Sequence, residues 1–189
     1  MQLEMLRLGA DACPYLISAS REGGYDNIIM GPTDRRLIKG DVLIIDTGAN
    51  FEDYFSDFDR NYGFGQVDPN THRAYEAVYR STEAGLQTAG PGRTTGDVWQ
   101  AMWSVLEDAG ALGNDVGRMG HGLGMQLTEW PSNVPDGDVI LQPGMILTLE
   151  PGMTFAPGKM MVHEENILIT DNGYEMLHKR CCPILPVIG

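Results

Sequence analysis

The sequence GDVLIIDTG at residues 40–48 has a near copy, GMILTLEPG, at residues 144–152. In each copy a glycine precedes a carboxylate by six residues, and a second glycine follows that carboxylate by two. The aliphatic residues between them predict buried strands. Burying an ionised carboxylate without a partner costs roughly several kcal/mol, so Asp46 and Glu150 each require a cation or access to solvent.

Each copy leads into a second strand-like segment that carries another carboxylate. Asp57 comes eleven residues after Asp46, and Glu164 comes fourteen residues after Glu150. A strand–turn–strand hairpin can bring two such carboxylates to one face of a sheet. The repetition therefore predicts a pseudo-duplicated α+β unit in which four carboxylates converge from the two halves.

The rest of the chain predicts a single domain over residues 1–189, because no low-complexity linker divides it. Helices are expected from Asp68-Pro69 to about Thr88, and from Thr94 or Thr95 to about Ala109, since these residues are typical N-caps and first-turn residues. Residues 1–10 resemble the end of another helix. Strands are expected near 14–18, 41–47, 51–65, 145–150, 160–170 and 174–177, and loops near 31–32, 117–124 and 131–136.

The composition limits the possible partners and compartments. A net charge of −13 and a pI near 4.5 argue against binding to nucleic acid or to an anionic membrane surface, and acidity of this kind is typical of solubility, including in saline habitats. Three cysteines are too few and too poorly spaced for a disulfide framework, which favours reduced thiols in the cytoplasm. The sequence shows neither a secretory leader nor an apolar run of about 18 residues, so secretion and membrane spanning are not predicted.

Converging carboxylates indicate a metal site. Four of them repel one another and cannot all remain ionised without cations, and two divalent metals would remove that conflict. His121 is a further candidate ligand, because the glycines on either side of it let the backbone pack close to a bound group. Taken singly, an aspartate at a strand end is more often a cap, and a lone histidine is more often structural. The metal interpretation is favoured because the four carboxylates and His121 occur together in this order, with the carboxylates in duplicated strands.

Four phrases make the chain similar to a known family. The sequence resembles the pita-bread metallohydrolases, which include methionine aminopeptidase, aminopeptidase P, prolidase and the metal-free creatinase. The resemblance runs from about residue 1 to 188 and implies a curved, pseudo-duplicated antiparallel sheet covered by helices. It also implies an N-terminally truncated, C-terminal-type catalytic domain. The phrases are IIDTGANFEDYFSDFDRN at 44–61, GHGLG at 120–124, LTLEPGM at 147–153 and HEENILIT at 163–170.

The same resemblance implies a site and a reaction. Two divalent ions of manganese, cobalt, zinc or iron would be held, with Asp57 and Glu164 as bridging ligands. A hydroxide that bridges the metals would attack a peptide carbonyl, and Glu150 would accept and relay the proton, with His121 as the other catalytic residue. The substrate would be an Xaa-Pro peptide, and the protein would be a homodimer. The implied metal ligands are Asp46, Asp57, His121, Glu150 and Glu164.

Two positions depart from the family pattern. The family carries a histidine seven residues after the metal histidine, where this chain has Thr128, and another before the glycine of the GPTD phrase, where this chain has Met30. Both remain candidate substrate-binding residues, with Trp130 as a candidate pocket wall. The departures leave two alternatives open. One is a non-peptidase acting on a small solute, similar to ectoine hydrolase or dimethylsulfoniopropionate lyase, and the other is a catalytically weak binding module.

Four residues beside the implied ligands have expected roles as well. Asp59 stands where the family often has threonine, and we expect it either to support the metal ligands or to pair with Arg60. His163 precedes Glu164, so strand alternation predicts that it points away from the ligand face as a packed or exposed residue. Glu165 is expected to be ordinary surface charge.

Overall fold

The computed structural model of the chain describes residues 1–31, 33–114 and 117–189. Pro32, expected in a loop, lies outside these described residues. Helices and strands follow one another in a mixed α+β order, as predicted. Within the described residues the elements are α1 Gln2–Arg7, β1 Ala12–Glu22, β2 Asp41–Phe51, β3 Tyr54–Phe64, α2 Pro69–Thr88, α3 Thr95–Asp108, β4 His121–Gly122, β5 Glu129–Ser132, β6 Ile146–Leu149, β7 Gly152–Ala156, β8 Lys159–Val162, β9 Glu165–Thr170, β10 Gly173–Met176 and β11 Val187–Ile188.

The strands form two larger sheets and a hairpin. One sheet has the order β1-β2-β3-β11, the other has the order β10-β9-β6-β4-β5, and β7 pairs with β8. All pairs are antiparallel except β11 with β3. The expectation of one strand over 160–170 is wrong, because β8 ends at Val162 and β9 begins at Glu165. The loop expected at 131–136 is wrong at its start, since Pro131 and Ser132 belong to β5.

The two long helices follow their predicted bounds because their caps form as expected. The Asp68 carboxylate accepts a hydrogen bond from the Asn70 amide at 2.7 Å, and Thr94 forms a reciprocal capping box with Asp97. α2 and α3 bury their apolar faces against each other and against the second sheet and the β7–β8 hairpin. No helix in the described ranges is long and apolar enough to cross a membrane.

Side chains of β3 and β9 join the first sheet to the β7–β8 hairpin and to the second sheet, where the repeated segments meet. The Asn61 amide donates to the Val162 carbonyl at 2.6 Å, and the Asn166 amide donates to the Asp57 carbonyl at 2.6 Å. A third donor, the Arg60 guanidinium, reaches the Glu164 carbonyl at 2.7 Å. These bonds satisfy backbone groups at the junction, and they hold the segments around Asp57 and Glu164 next to each other.

Candidate metal centre

The β2–β3 hairpin places three aspartates on one face. Asp46 pairs directly with Asp59, and Asp57 pairs with Gly48, two residues further along β2. Because side chains alternate along a strand, Asp46, Asp57 and Asp59 all point to the same side. The expectation that Asp46 and Asp57 share a face is confirmed, and the register adds Asp59 to them.

The second pair of carboxylates comes from the ends of β6 and β9. These strands pair antiparallel as far as Leu149 and Glu165, so Glu150 and Glu164 stand opposite each other one step beyond the ladder. The main chain there is held by the Glu150 amide, which donates to the Met119 carbonyl at 3.2 Å. Both side chains are at least nine-tenths buried. The two repeats therefore contribute equivalent carboxylate pairs.

His121 reaches the carboxylates from the short strand β4. Its Nδ1 lies 2.9 Å from the Gly122 carbonyl, which can only accept, so Nδ1 carries the proton and Nε2 keeps its lone pair. Nε2 lies 3.6 Å from Asp57 Oδ2 and 4.0 Å from Glu150 Oε2. Gly120 has a φ of +114°, and a Cβ there would lie 2.1 Å from the Thr148 carbonyl oxygen. Glycine at 120 thus lets β4 approach β6 and deliver His121.

The ligand atoms form two groups that share one residue. Atoms of Asp57, His121 and Glu164 lie within 4.8 Å of one another, and so do atoms of Asp46, Asp59 and Glu164. Glu164 is common to both groups, as a bridging carboxylate would be. The two groups therefore contain four of the five implied ligands together with Asp59, and the fifth, Glu150, lies beside them with Oε2 4.0 Å from His121 Nε2.

Burial and mutual repulsion dominate the electrostatics of this cluster. Burial raises the pKa of Asp46 to about 6, of Glu150 to about 7 and of Asp57 to about 8, with neighbouring carboxylates adding to the shift of the latter two. The pKa values of Asp59 and Glu164 lie well above their usual range for the same reasons. In the opposite direction, burial lowers the pKa of the His121 imidazole, which keeps it neutral and able to bind a cation.

The donor set fits divalent cations. Within the described residues, His121 is the sole side chain that comes within 4 Å as an ion-pair partner of these carboxylates. Several of their buried oxygens also lack a hydrogen-bond donor there: Asp57 Oδ1, both Asp59 oxygens and Glu164 Oε1. Carboxylate oxygens and a neutral imidazole are ligands for manganese, iron, cobalt or zinc. The charges of Arg118 and Arg60 offset only part of the raised pKa values of Asp57, Glu150 and Asp59, and divalent cations would supply the remaining positive charge.

The three candidate substrate residues lie in two separate parts of the fold. Thr128 and Trp130 are exposed and lie at or just before β5, the strand that pairs with the His121 strand; Trp130 is 73% exposed. Met30 lies in a separate surface cavity of about 210 Å³, beside residues such as Ser18 and Arg35, that none of the candidate metal ligands lines. The substrate-binding roles of all three remain predictions.

One of the two roles expected for Asp59, and the role expected for Glu165, are wrong. Arg60 does not pair with the Asp59 carboxylate; its guanidinium donates to Glu165 Oε2 at 3.1 Å and to the Asp59 main-chain carbonyl at 2.8 Å. Glu165 is not surface charge, because it is fully buried and also receives the Cys181 amide at 3.1 Å. His163 is packed, as one of its two expected roles had it, with Nδ1 2.8 Å from the Thr82 hydroxyl.

Sequence reasoning missed a tyrosine at this site. The Tyr15 hydroxyl, on β1, donates to Asp46 Oδ2 at 2.8 Å. The long connection between β1 and β2 hides their register, so no local pattern pointed to this contact. Asp59 differs, since its spacing of two from Asp57 on one strand is a local signal that the two side chains share a face.

Comparison with known proteins gives a consistent family. The sequence model described as metallopeptidase family M24 matches residues 2–171. The probable dipeptidase PepE of Mycobacterium tuberculosis is 36% identical over 145 residues, which is 76% of this chain and 38% of that protein. An Xaa-Pro dipeptidase of Pyrococcus furiosus is 29% identical over 147 residues, or 78% of this chain and 42% of that protein.

Solved structures agree on the fold. The crystal structure of a dipeptidase from Pyrococcus horikoshii superposes with a TM-score of 0.91 at 31% identity, over 99% of this chain and 52% of that one. The chain therefore has the pita-bread fold. It spans about half the length of that solved chain, and its matched part spans less than half of the curated relatives.

Proposed function

Because the chain belongs to metallopeptidase family M24, we propose that residues 1–189 form the catalytic domain of a metal-dependent hydrolase that acts on dipeptides, with Xaa-Pro dipeptides as its substrates. The observation that carries this proposal is the position of Glu164 in both ligand groups. One carboxylate shared by two groups is the arrangement that two adjacent cations require. The proposed ligands are Asp46, Asp57, His121, Glu150 and Glu164.

Bound divalent ions at such a site make a water nucleophilic at neutral pH and polarise the carbonyl that it attacks. The protein's own residues would hold the ions in position and balance their charge. Neutral His121 presents Nε2 towards Asp57 and Glu150, which orients the donor set without adding positive charge. The buried position of the cluster excludes bulk water and strengthens each electrostatic contact.

Glu150 is the proposed general base. It comes directly after β6, and its side chain is nearly fully buried with Oε2 4.0 Å from His121 Nε2. A carboxylate in this position can accept a proton from the attacking water and return it to the leaving amine. Thr128 and Trp130, next to the His121 strand, are proposed to contact the substrate.

Metal content and substrate turnover test the proposal together. The chain is stripped with a chelator, dialysed, reconstituted separately with Mn²⁺, Co²⁺, Zn²⁺ or Fe²⁺, and analysed for bound metal. We expect two ions per chain and release of proline from Xaa-Pro dipeptides, and we expect His121→Ala to lose the ion of its own ligand group and to release proline more slowly. A chain that retains no metal after gentle purification and rebinds none would reject every enzymatic reading and leave the binding module.

The replacement of two family histidines by Met30 and Thr128 supports one rival substrate class, small non-peptide solutes. Losing a preorganised donor lowers peptidase rates by about 10²–10³-fold. The turnover of a smaller substrate need not depend on the same donor, so the loss would lower its rate less. The same reconstituted chain is therefore assayed against ectoine-like and dimethylsulfoniopropionate-like solutes. Turnover of these alone, with two metals bound, would keep the metal centre and reject the dipeptidase.

The assembly and compartment are also proposals. Leu3, Leu8 and Phe51 are exposed around α1 and the tip of β2, beside an apolar cavity of about 560 Å³, and a homodimer would cover such a surface. Light scattering coupled to size-exclusion chromatography measures this directly. All three cysteines are free, which suits a reducing cytoplasm.

A further inference from the structure

Asp59 occupies the same face as the candidate ligands. It pairs directly with Asp46 across β2 and β3, and it lies two residues from Asp57 on β3. Strand alternation therefore points its side chain at the cluster and not at the opposite side of the sheet. Among the described residues, the Asp59 carboxylate has no hydrogen bond that would account for this position.

The Asp59 carboxylate has no partner that would justify burying it. It is 1% exposed, and neither oxygen has a hydrogen-bond donor among the residues that the structure describes. The neighbouring cation, Arg60, is committed to Glu165 and to main-chain carbonyls. A buried carboxylate of this kind is strongly unfavourable unless it is protonated or meets a cation.

Distances place Asp59 within reach of a shared ion. One oxygen of Asp59 lies within 4.8 Å of ligand atoms of both Asp46 and Glu164. Two oxygens bound to one ion at about 2.0–2.2 Å are at most about 4.4 Å apart, so a small side-chain rotation satisfies the requirement. The second group, with Asp57, His121 and Glu164, would serve the other ion.

We propose that Asp59 is a sixth side-chain ligand, which binds one of the two metals together with Asp46 and Glu164. This rests on the proposed metal pair. Five carboxylates carry one more negative charge than two divalent cations neutralise, and all but one of the six ligands are oxygen donors. Such a set favours hard ions such as Mn²⁺ over zinc, which accepts nitrogen and sulfur readily.

The test compares Asp59→Asn, which keeps the shape and removes the charge, with the smaller Asp59→Thr. Glu76→Gln is the matched control, because it removes one acid from an exposed position of α2. Metal-free chains are titrated with Mn²⁺ and with Zn²⁺ by calorimetry, and bound metal is counted after dialysis. We expect both Asp59 variants to bind one Mn²⁺ at least about tenfold more weakly than the wild type, with a smaller change for Zn²⁺.

The second readout is the melting temperature, measured without metal and with Mn²⁺. We expect the loss of an unpartnered buried carboxylate to raise the melting temperature of the metal-free chain, and to reduce the increase that Mn²⁺ produces. Two wild-type-like Mn²⁺ sites in both variants would overturn the proposal, and so would metal-free variants that fail to fold, because Asp59 would then have a structural role. A wild-type chain that binds no metal would instead reject the proposed function together with this inference.

Discussion

Glu164 and Glu165 are consecutive buried glutamates that the fold neutralises in two different ways. Glu165 has its partners within the protein: the Arg60 guanidinium supplies positive charge at 3.1 Å, and the Cys181 amide donates a hydrogen bond. Burial, and then repulsion from Asp57, Glu150, Asp59 and Asp46, raise the pKa of Glu164 well above the usual range. The same residue type at adjacent positions thus serves a structural ion pair on one side and a candidate cation site on the other.

The surroundings of the two glutamates show why the difference is informative. The side of Glu165 is rich in nitrogen groups, with Arg60, His163 and His178 within reach. The side of Glu164 is rich in carboxylates, and His121 is the nitrogen ligand in its group. A protein cluster that lacks its own cations has to obtain them from solution or take up protons.

The largest effect is expected from removing the shared carboxylate. Glu164→Gln should leave at most one metal bound and lower hydrolysis by at least about 10²–10³-fold, because both ligand groups lose a member. Metal analysis and steady-state kinetics measure the two quantities. If the variant still binds two metals per chain, Glu164 is not a shared metal ligand, and the contrast with Glu165 fails.

Metal removal should make stability depend on pH in a defined direction. The pKa values of Asp46, Glu150 and Asp57 are raised in the folded chain, to about 6, 7 and 8. The folded state therefore holds more protons than the unfolded state, so the free energy of unfolding falls as pH rises from about 4 to about 8. A full pKa unit at one group corresponds to about 1.4 kcal/mol.

Thermal unfolding of the metal-free chain between pH 5 and 8 checks this sign. We expect the melting temperature to decrease with rising pH, and saturating Mn²⁺ to reverse the decrease because it binds the ionised carboxylates. A metal-free melting temperature that rises over this window would mean that these carboxylates have cation partners within the protein.

A change at Glu165 should affect stability and leave metal binding in place. Glu165→Gln leaves Arg60 without its carboxylate, which costs about 2–3 kcal/mol, less than for a fully enclosed pair because the Arg60 side chain is 24% exposed. Asp26→Asn is the control, since its pair with Arg21 is exposed on both sides and should change stability by less than about 1 kcal/mol. Denaturant unfolding with metal counting separates the outcomes, and loss of either metal in Glu165→Gln would contradict the comparison.

Much of this site could be predicted from the sequence, because the patterns that identify it are local. The repeated glycine–aliphatic–carboxylate phrase gave the two pairs, strand alternation placed Asp46 and Asp57 on one face, and Asp68 and Thr94 located the two helices. Each of these depends on residues within about one element of each other.

The errors came from contacts between distant parts of the chain. Glu165 looked like surface charge because Arg60, 105 residues earlier, cannot be recognised as its partner before the sheets are docked. Pairing with Arg60 was one of two roles expected for Asp59, yet strand neighbours point to opposite faces and the guanidinium crosses to Glu165 on β9. Local pattern predicts which residues share a face, whereas their partners across the fold depend on register and packing.

The smallest expected effect belongs to Tyr15, which supports a candidate ligand without lying in either ligand group. Burial and the nearby Asp46 raise the pKa of Tyr15, so its hydroxyl stays protonated and donates to Asp46 at every working pH. Tyr15→Phe removes that donor and keeps the ring, and we expect affinity for one metal to fall about tenfold, as for other groups that orient a ligand. Calorimetric titration with Mn²⁺ measures it, with Tyr54→Phe, an exposed tyrosine at the start of β3, as the control. An equal loss in both variants would show that the Asp46 contact has no specific effect, because of these two tyrosines Tyr15 is the one that donates to that carboxylate.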